Sequence, residues 1–285
     1  MIIWLASYPK SGNTWMRALL TTYFYSTDAV FDYKTMSKIY QFPAKVFFKD
    51  FSKSFLKLTD TAEFWIEAQN KINKDNSFKL FKTHNAFLNV NNCNFTNKEN
   101  TNGCIYIVRD PRNVVTSITN HYEHDYNEAL EWMVNDKGYL FEKEENQFKN
   151  FQFLSSWANH YKSWVHTKQF PIYCVKYEDL EKNPLEVVEG VINFLIKIGN
   201  LKSTFDVLKA KKCIEACTFE NLKKKEEKEG FAESPIGQKT GKKLIFFNLG
   251  TKNNWKKILP NNIKERMNKI FKKDLEYWGY NTDEQ

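Results

Sequence analysis

Ile2-Ile3-Trp4-Leu5-Ala6-Ser7-Tyr8-Pro9-Lys10-Ser11-Gly12-Asn13-Thr14-Trp15 carries an apolar run straight into a turn and out into a helix. The run reads as a buried strand, too short for a signal-peptide core or a membrane span. From Thr14 onward, Trp15, Leu19, Leu20, Tyr23 and Phe24 recur at helical spacing. Strand, glycine-bearing loop and helix is the layout of a phosphate site in an α/β protein, because a helix start offers free backbone N–H groups and the positive end of its dipole. Gly12 permits a tight turn, Lys10 brings a point charge, Ser11 and Thr14 bring hydroxyls, and Trp15 presents a flat face suited to a purine. A bare Lys-Ser-Gly is more often a plain capped turn; Pro9, Thr14 and Trp15 beside it favour an anion cradle. The lysine precedes the glycine, so this is not a Walker A loop.

Similar units follow along the chain. Residues 78–83 and 104–108 are short apolar runs; the second ends at Arg109-Asp110-Pro111-Arg112, and Val114, Val115, Ile118 and Tyr122 then have helical spacing. Residues 171–175 are another candidate strand, followed by Tyr177-Glu178-Asp179 and a helical pattern through Val187, Val188, Val191, Ile192 and Leu195. Phe153, Trp157, Tyr161 and Trp164 also read as one helix face. Strands alternating with helices predict a P-loop-like parallel sheet with helices on both faces. With no repeat and no Pro/Gly/Ser-rich linker, residues 1–285 read as one domain. The stretches 27–53, 89–103 and 223–243 read as loops or insertions, and loops over the carboxyl ends of strands usually hold substrate.

Composition narrows the function classes. The 285 residues carry 42 Lys+Arg against 34 Asp+Glu, a formal charge of +8, and 42% of them are apolar. That excess suits nucleic acid, an anionic membrane or an anionic cosubstrate, and no RNA- or DNA-binding spacing supports the first. The Lys/Glu run at 223–228 reads as a solvated helix face or loop. The five cysteines, Cys93, Cys104, Cys174, Cys213 and Cys217, are odd in number and scattered, which fits a reducing compartment and a cytoplasmic protein. Cys213 and Cys217 share a helical spacing without a completing zinc ligand, so packing is their expected role.

Three residues point to chemistry. Arg109 sits where a strand ends, and Ser117 lies about two helical turns on, so a guanidinium fork and a hydroxyl can converge on one phosphate; the plain alternative pairs Arg109 with a nearby acid such as Asp110. His84 closes Lys82-Thr83-His84 at the end of the second strand, on the side of the phosphate loop, and an imidazole titrating near 6.5 suits proton removal. A lone histidine usually has only a structural task, the reading adopted for His121, His124, His160 and His166, with His121 and His124 near an acceptor pocket.

The 8–15 stretch closely resembles the 5′-phosphosulfate loop of cytosolic sulfotransferases that use 3′-phosphoadenosine-5′-phosphosulfate (PAPS). The resemblance implies that Lys10 neutralises the leaving bridging oxygen, that Ser11, Gly12, Asn13 and Thr14 hold the 5′-phosphate and sulfate, and that Trp15 contacts adenine. Residues 105–117 are similar to the family's 3′-phosphate motif, with Arg109 and Ser117 as its grip. Tyr177 resembles a tyrosine on the adenine, and Thr218 and Phe219 another pair on the nucleotide. Lys-Thr-His matches the family's catalytic histidine, here His84, with its companion Lys82. Near the C-terminus Gly250 and Trp255 match, whereas Asn248 and Leu249 stand where the family has Arg and Lys, removing two charges from the 3′-phosphate site; Lys242, Lys243 and Lys252 are candidate replacements. The family's dimer motif is not reproduced at 256–260, leaving the oligomeric state open.

The resemblance therefore implies transfer of a sulfuryl group to a hydroxyl or amine of a small acceptor, with adenosine 3′,5′-bisphosphate (PAP) as product, no metal and no membrane partner. Loops 27–53, 122–149 and 223–243 would wall the acceptor pocket. The alternatives are a P-loop-like kinase or NTPase, which needs Mg²⁺ and a lysine after the glycine, and a nucleotide-binding protein that has lost transfer.

Overall fold

The computed structural model describes residues 1–51, 56, 59–75, 77–144, 147–237 and 240–280. Among the described residues, eight strands run in chain order as β1 (Ile2–Ser7), β2 (Lys79–Thr83), β3 (Asn89–Val90), β4 (Cys93–Asn94), β5 (Thr101–Val108), β6 (Tyr139–Glu144), β7 (Gln147–Phe153) and β8 (Ile172–Lys176). Four of them form one sheet in the order β2-β1-β5-β8, and every pairing in it is parallel. The sheet is apolar on both faces because helices cover both. Trp4, Ala6, Cys104, Tyr106 and Val108 enter one core, while Ile3, Leu5, Ile105 and Ile107 enter the other. The first core packs under Trp157, Tyr161 and Trp164 and the C-terminal helices; the second packs under helices Asn13–Tyr25 and Pro184–Gly199. This is the α/β sheet predicted above.

Register decides where the strands release the chain. Ala6 lies beside Thr83 on one side and Tyr106 on the other, and Val108 lies beside Lys176. Four parallel strands in near register put their next residues at one edge. Those residues are the 8–12 loop, His84, Arg109 and Tyr177.

Three regions differ from the sequence reading. Phe153 ends β7, and the helix begins only at Trp157 because Ser156 caps it, accepting from Asn159 N–H. The 122–149 stretch holds a helix, Tyr126–Val134, started by a capping box of Asp125 and Glu128, and the antiparallel hairpin β6–β7. The 223–243 stretch begins inside a helix, Phe219–Glu229, capped by Thr218. Its Glu226 is not solvated: it is 7% exposed and accepts from the N–H groups of Phe246 and Phe247 at 2.8 and 2.9 Å. Stretches 27–53 and 89–103 are loop-like, with 3₁₀ turns at Tyr33–Lys38 and Lys45–Phe47 in the first and the short β3–β4 pair in the second. Cys213 and Cys217 are buried and unbridged. Among the described residues, no helix is long and apolar enough to cross a membrane.

Candidate active site

The 8–12 loop turns on two left-handed residues, Lys10 at φ 67° and Gly12 at φ 103°. Gly12 is required twice over: its φ favours glycine, and a Cβ there would lie 2.6 Å from the Tyr177 ring. No side chain caps the helix that follows, so its first-turn N–H groups stay open to a ligand. Asn13 points back instead, its Nδ2 donating to Leu5 O at 3.0 Å and Ser7 Oγ at 3.3 Å, which ties the loop to β1. Only its backbone is left for an anion. Ser11 is buried and its Oγ has no partner among the described residues.

A cavity of about 910 Å³ opens over this edge of the sheet. Lys10, Gly12, Asn13, Thr14, Trp15, Lys82, His84, Arg109, Ser117, Tyr177, Thr218, Phe219, Asn248, Leu249 and Gly250 all line it. Of the site residues read from sequence, Ser11 alone lies behind the wall. Trp15 and Tyr177 meet edge-on with ring centroids 5.6 Å apart, and Trp15 Nε1 donates to Cys217 O at 2.8 Å, fixing the indole. Gly250, at φ 54°, packs against Phe219 so closely that a Cβ would reach its ring at 2.5 Å.

Arg109 does not pair with Asp110. That carboxylate is taken by Arg112 at 2.8 Å, which in turn stacks on Trp255 at 3.8 Å. Arg109 lies over the Tyr177 ring at 3.9 Å and donates to Lys10 O at 3.3 Å, while its Nε is buried without a partner among the described residues. Arg109 forms no salt bridge among the described residues. The Arg109 guanidinium, with a buried nitrogen left open among the described residues, and an uncapped helix start meet on one cavity and fit an anionic ligand, while the Ser11 hydroxyl lies behind them. Asn253 ties the opposite wall to Ser117's helix, donating to Asn113 O at 3.0 Å. Lys242, Lys243 and Lys252, the candidate replacements for the charges missing at Asn248 and Leu249, are not among the residues that line the cavity.

Burial shapes the charges. Desolvation, then Arg109 and Lys82, push Lys10 down to about 7; its ammonium donates to His121 Nδ1 at 3.0 Å and sits 4.2 Å over the Phe246 ring. Lys82 is held by Glu233 at 3.1 Å, and Glu233 also takes Arg17. Burial alone would raise Glu233, but Lys82 and Arg17 overcome it and hold the carboxyl at about 2.

His84 Nδ1–H donates to Ser7 O at 2.8 Å, so Nε2 carries the lone pair. Its N–H donates to Gln152 Oε1 at 2.6 Å, and its C=O accepts from His160 Nε2 at 3.0 Å, whose Nδ1 accepts from Tyr106 OH at 2.8 Å. His84 does not titrate near 6.5: burial, then Lys82, push it down to about 3. It stays neutral at physiological pH. His121 lines the cavity, and His124 does not. His160 has the structural task read from the sequence, whereas Gln152 and Glu233 carry no local motif that marks them.

Buried neutral histidines make an acid-labile protein. Burial holds His160 at about 4, His84 at about 3 and His121 at about 2. All lie below the unfolded value, so the unfolded chain binds more protons as pH falls below about 6.5, and stability is lost in that direction. His160, fully buried, contributes about 1.4 kcal/mol per pH unit between about pH 6 and 4. Urea midpoints from pH 7 to 4.5 are expected to fall steeply, and His160→Gln is expected to flatten the fall; an unchanged slope would refute this account of His160.

The sulfotransferase domain family matches residues 2–279. Sulfotransferase 1B1 of the dog is 27% identical over 280 residues, spanning 95% of this chain and 82% of that protein. Flavonol 3-sulfotransferase of Flaveria bidentis is 22% identical over 281 residues, spanning 96% of this chain and 81% of that protein. A mouse sulfotransferase crystallised with PAP superposes with a TM-score of 0.57 at 17% identity, covering 96% of this chain and 84% of its own. Retinol dehydratase with androsterone and PAP gives 0.56 at 15%, covering 100% and 82%. At such identities the two structures speak for the fold.

Proposed function

This chain belongs to the sulfotransferase domain family, and on that premise we propose that it transfers a sulfuryl group from PAPS to a hydroxyl or amine of a small acceptor, with His84 as general base. The observation that carries the reading is the convergence, on one cavity, of the Lys10 loop with a histidine whose Nε2 is left as the free acceptor. Bound PAPS supplies the sulfuryl group and leaves as PAP.

The chain's own residues do the rest. Lys10 and the first-turn N–H groups from Gly12 to Thr14 hold the 5′-phosphosulfate end and offset charge at the bridging oxygen. Arg109 and Ser117 take the 3′-phosphate, with Asn248, Leu249 and Gly250 as the uncharged wall beside it. Trp15, Tyr177, Thr218 and Phe219 hold the adenosine. Ser11 supports the loop from behind. His84 takes the acceptor's proton at Nε2, with Ser7 O keeping its ring in the productive tautomer. Lys82, fixed by Glu233, lends positive charge next to it. These cations do the work that a metal does in phosphoryl transfer, so the reaction proceeds in a chelator. A cytoplasmic setting accords with the unbridged cysteines.

Thermal unfolding with nucleotides tests the assignment. PAP at about 100 times its Kd is expected to stabilise the protein by about 2.7 kcal/mol, and ATP with Mg²⁺ to leave it unchanged. Stabilisation by ATP with Mg²⁺ and not by PAP would point to a kinase-like site instead.

A further inference from the structure

Gln152 sits on β7, beside Leu140 of β6, and is 2% exposed. Its Oε1 accepts from His84 N–H at 2.6 Å. A peptide N–H can only donate, so this bond fixes the carboxamide's orientation. Its NH₂ group, which has no hydrogen-bond partner among the described residues, is left facing the cavity that Gln152 lines. The nitrogen is not one of the fully buried polar atoms left without a partner, so it reaches the cavity and is an accessible donor for a ligand's acceptor atom.

The neighbouring groups say what that ligand is. His84 Nε2 accepts a proton, and the Gln152 NH₂ group, on the residue bonded to the same histidine, donates one. Tyr122, Leu140, Phe141 and Phe246 line the cavity with them and suit a planar ring. Building on the sulfuryl-transfer reading above, we propose that Gln152 determines acceptor specificity. The acceptor is an aromatic hydroxyl compound that carries a carbonyl oxygen next to the reacting hydroxyl. The hydroxyl donates to His84 Nε2, and the carbonyl accepts from Gln152 Nε2. Because Gln152 also anchors the His84 peptide, reading the correct acceptor and placing the base are coupled in one side chain.

The test compares two acceptors of one shape, 2-hydroxyacetophenone and 2-isopropenylphenol, which differ in C=O against C=CH₂. The wild type is expected to favour the ketone in kcat/KM by at least about tenfold. Gln152→Glu keeps an oxygen for the His84 N–H but loses the donor, and Gln152→Met loses both; in each the preference is expected to vanish. Any effect on overall rate cancels in the ratio. PAP binding is titrated in the same preparations. A wild type that uses both acceptors equally, or variants that keep the preference, would overturn the specificity role and leave sulfuryl transfer standing. A wild type that binds PAP but sulfates neither compound would overturn the acceptor class. A protein that does not bind PAP would remove the reading on which the proposal rests.

Discussion

His84→Ala is expected to lower kcat by about 10²–10⁴-fold while changing PAP affinity by less than about threefold. The hydrogen bond from Nδ1 to Ser7 O leaves Nε2 as the histidine's proton-accepting atom, and no other neutral histidine is aimed from the end of β2. His121 is engaged by Lys10, and His160 by Tyr106 and the His84 carbonyl, so neither stands in for it. The depressed value of about 3 adds a signature. A base already neutral throughout pH 5–9 gives no rate loss near pH 6.5 from its own protonation. Steady-state kinetics with saturating PAPS checks both points. A variant retaining more than about a tenth of kcat would remove His84 from the chemistry.

The second large effect is at Lys10. Its ammonium is desolvated and crowded by Arg109 and Lys82, which places its titration at about 7. Binding a phosphosulfate or phosphate there favours the charged form, so nucleotide binding takes up a proton. Above pH 7 the free lysine loses its charge, and PAP affinity is expected to fall up to about tenfold per pH unit toward pH 9. Lys10→Met is expected to abolish this pH dependence and to cost about 10²–10³-fold in kcat, as removal of one charge-stabilising donor does. Calorimetry in buffers of different ionisation enthalpy measures the proton uptake. Uptake that persists in Lys10→Met would place the titrating group elsewhere.

The parts of the site that were legible in the sequence are those that local rules dictate. The turn at Gly12 follows from one strand meeting one helix, and Arg109 and His84 each end an apolar run that parallel pairing carries to the same edge. A resemblance then supplied their roles. The unread parts depend on distant partners. Gln152 meets His84 across 68 positions, and Glu233 meets Lys82 across 151. The charged run at 223–228 hid Glu226, whose carboxylate is buried because two backbone N–H groups and Ser234 satisfy it. The Asp125–Glu128 capping box that starts a helix within 122–149 is a local signal too, weaker in the sequence than the loop-like composition around it. The value of about 3 at His84 is beyond any motif, since burial and the charge on Lys82 set it.

A cavity built for PAP must recognise the 3′-phosphate without an Arg-Lys pair at 248 and 249, where this chain has Asn and Leu. Isothermal titration with PAP and with adenosine 5′-monophosphate, on the wild type and on Arg109→Ala, tests it most directly. The wild type is expected to bind PAP at least about tenfold tighter than the monophosphate, and Arg109→Ala to erase most of that difference. Equal binding of the two nucleotides by the wild type, or binding of neither, would contradict it.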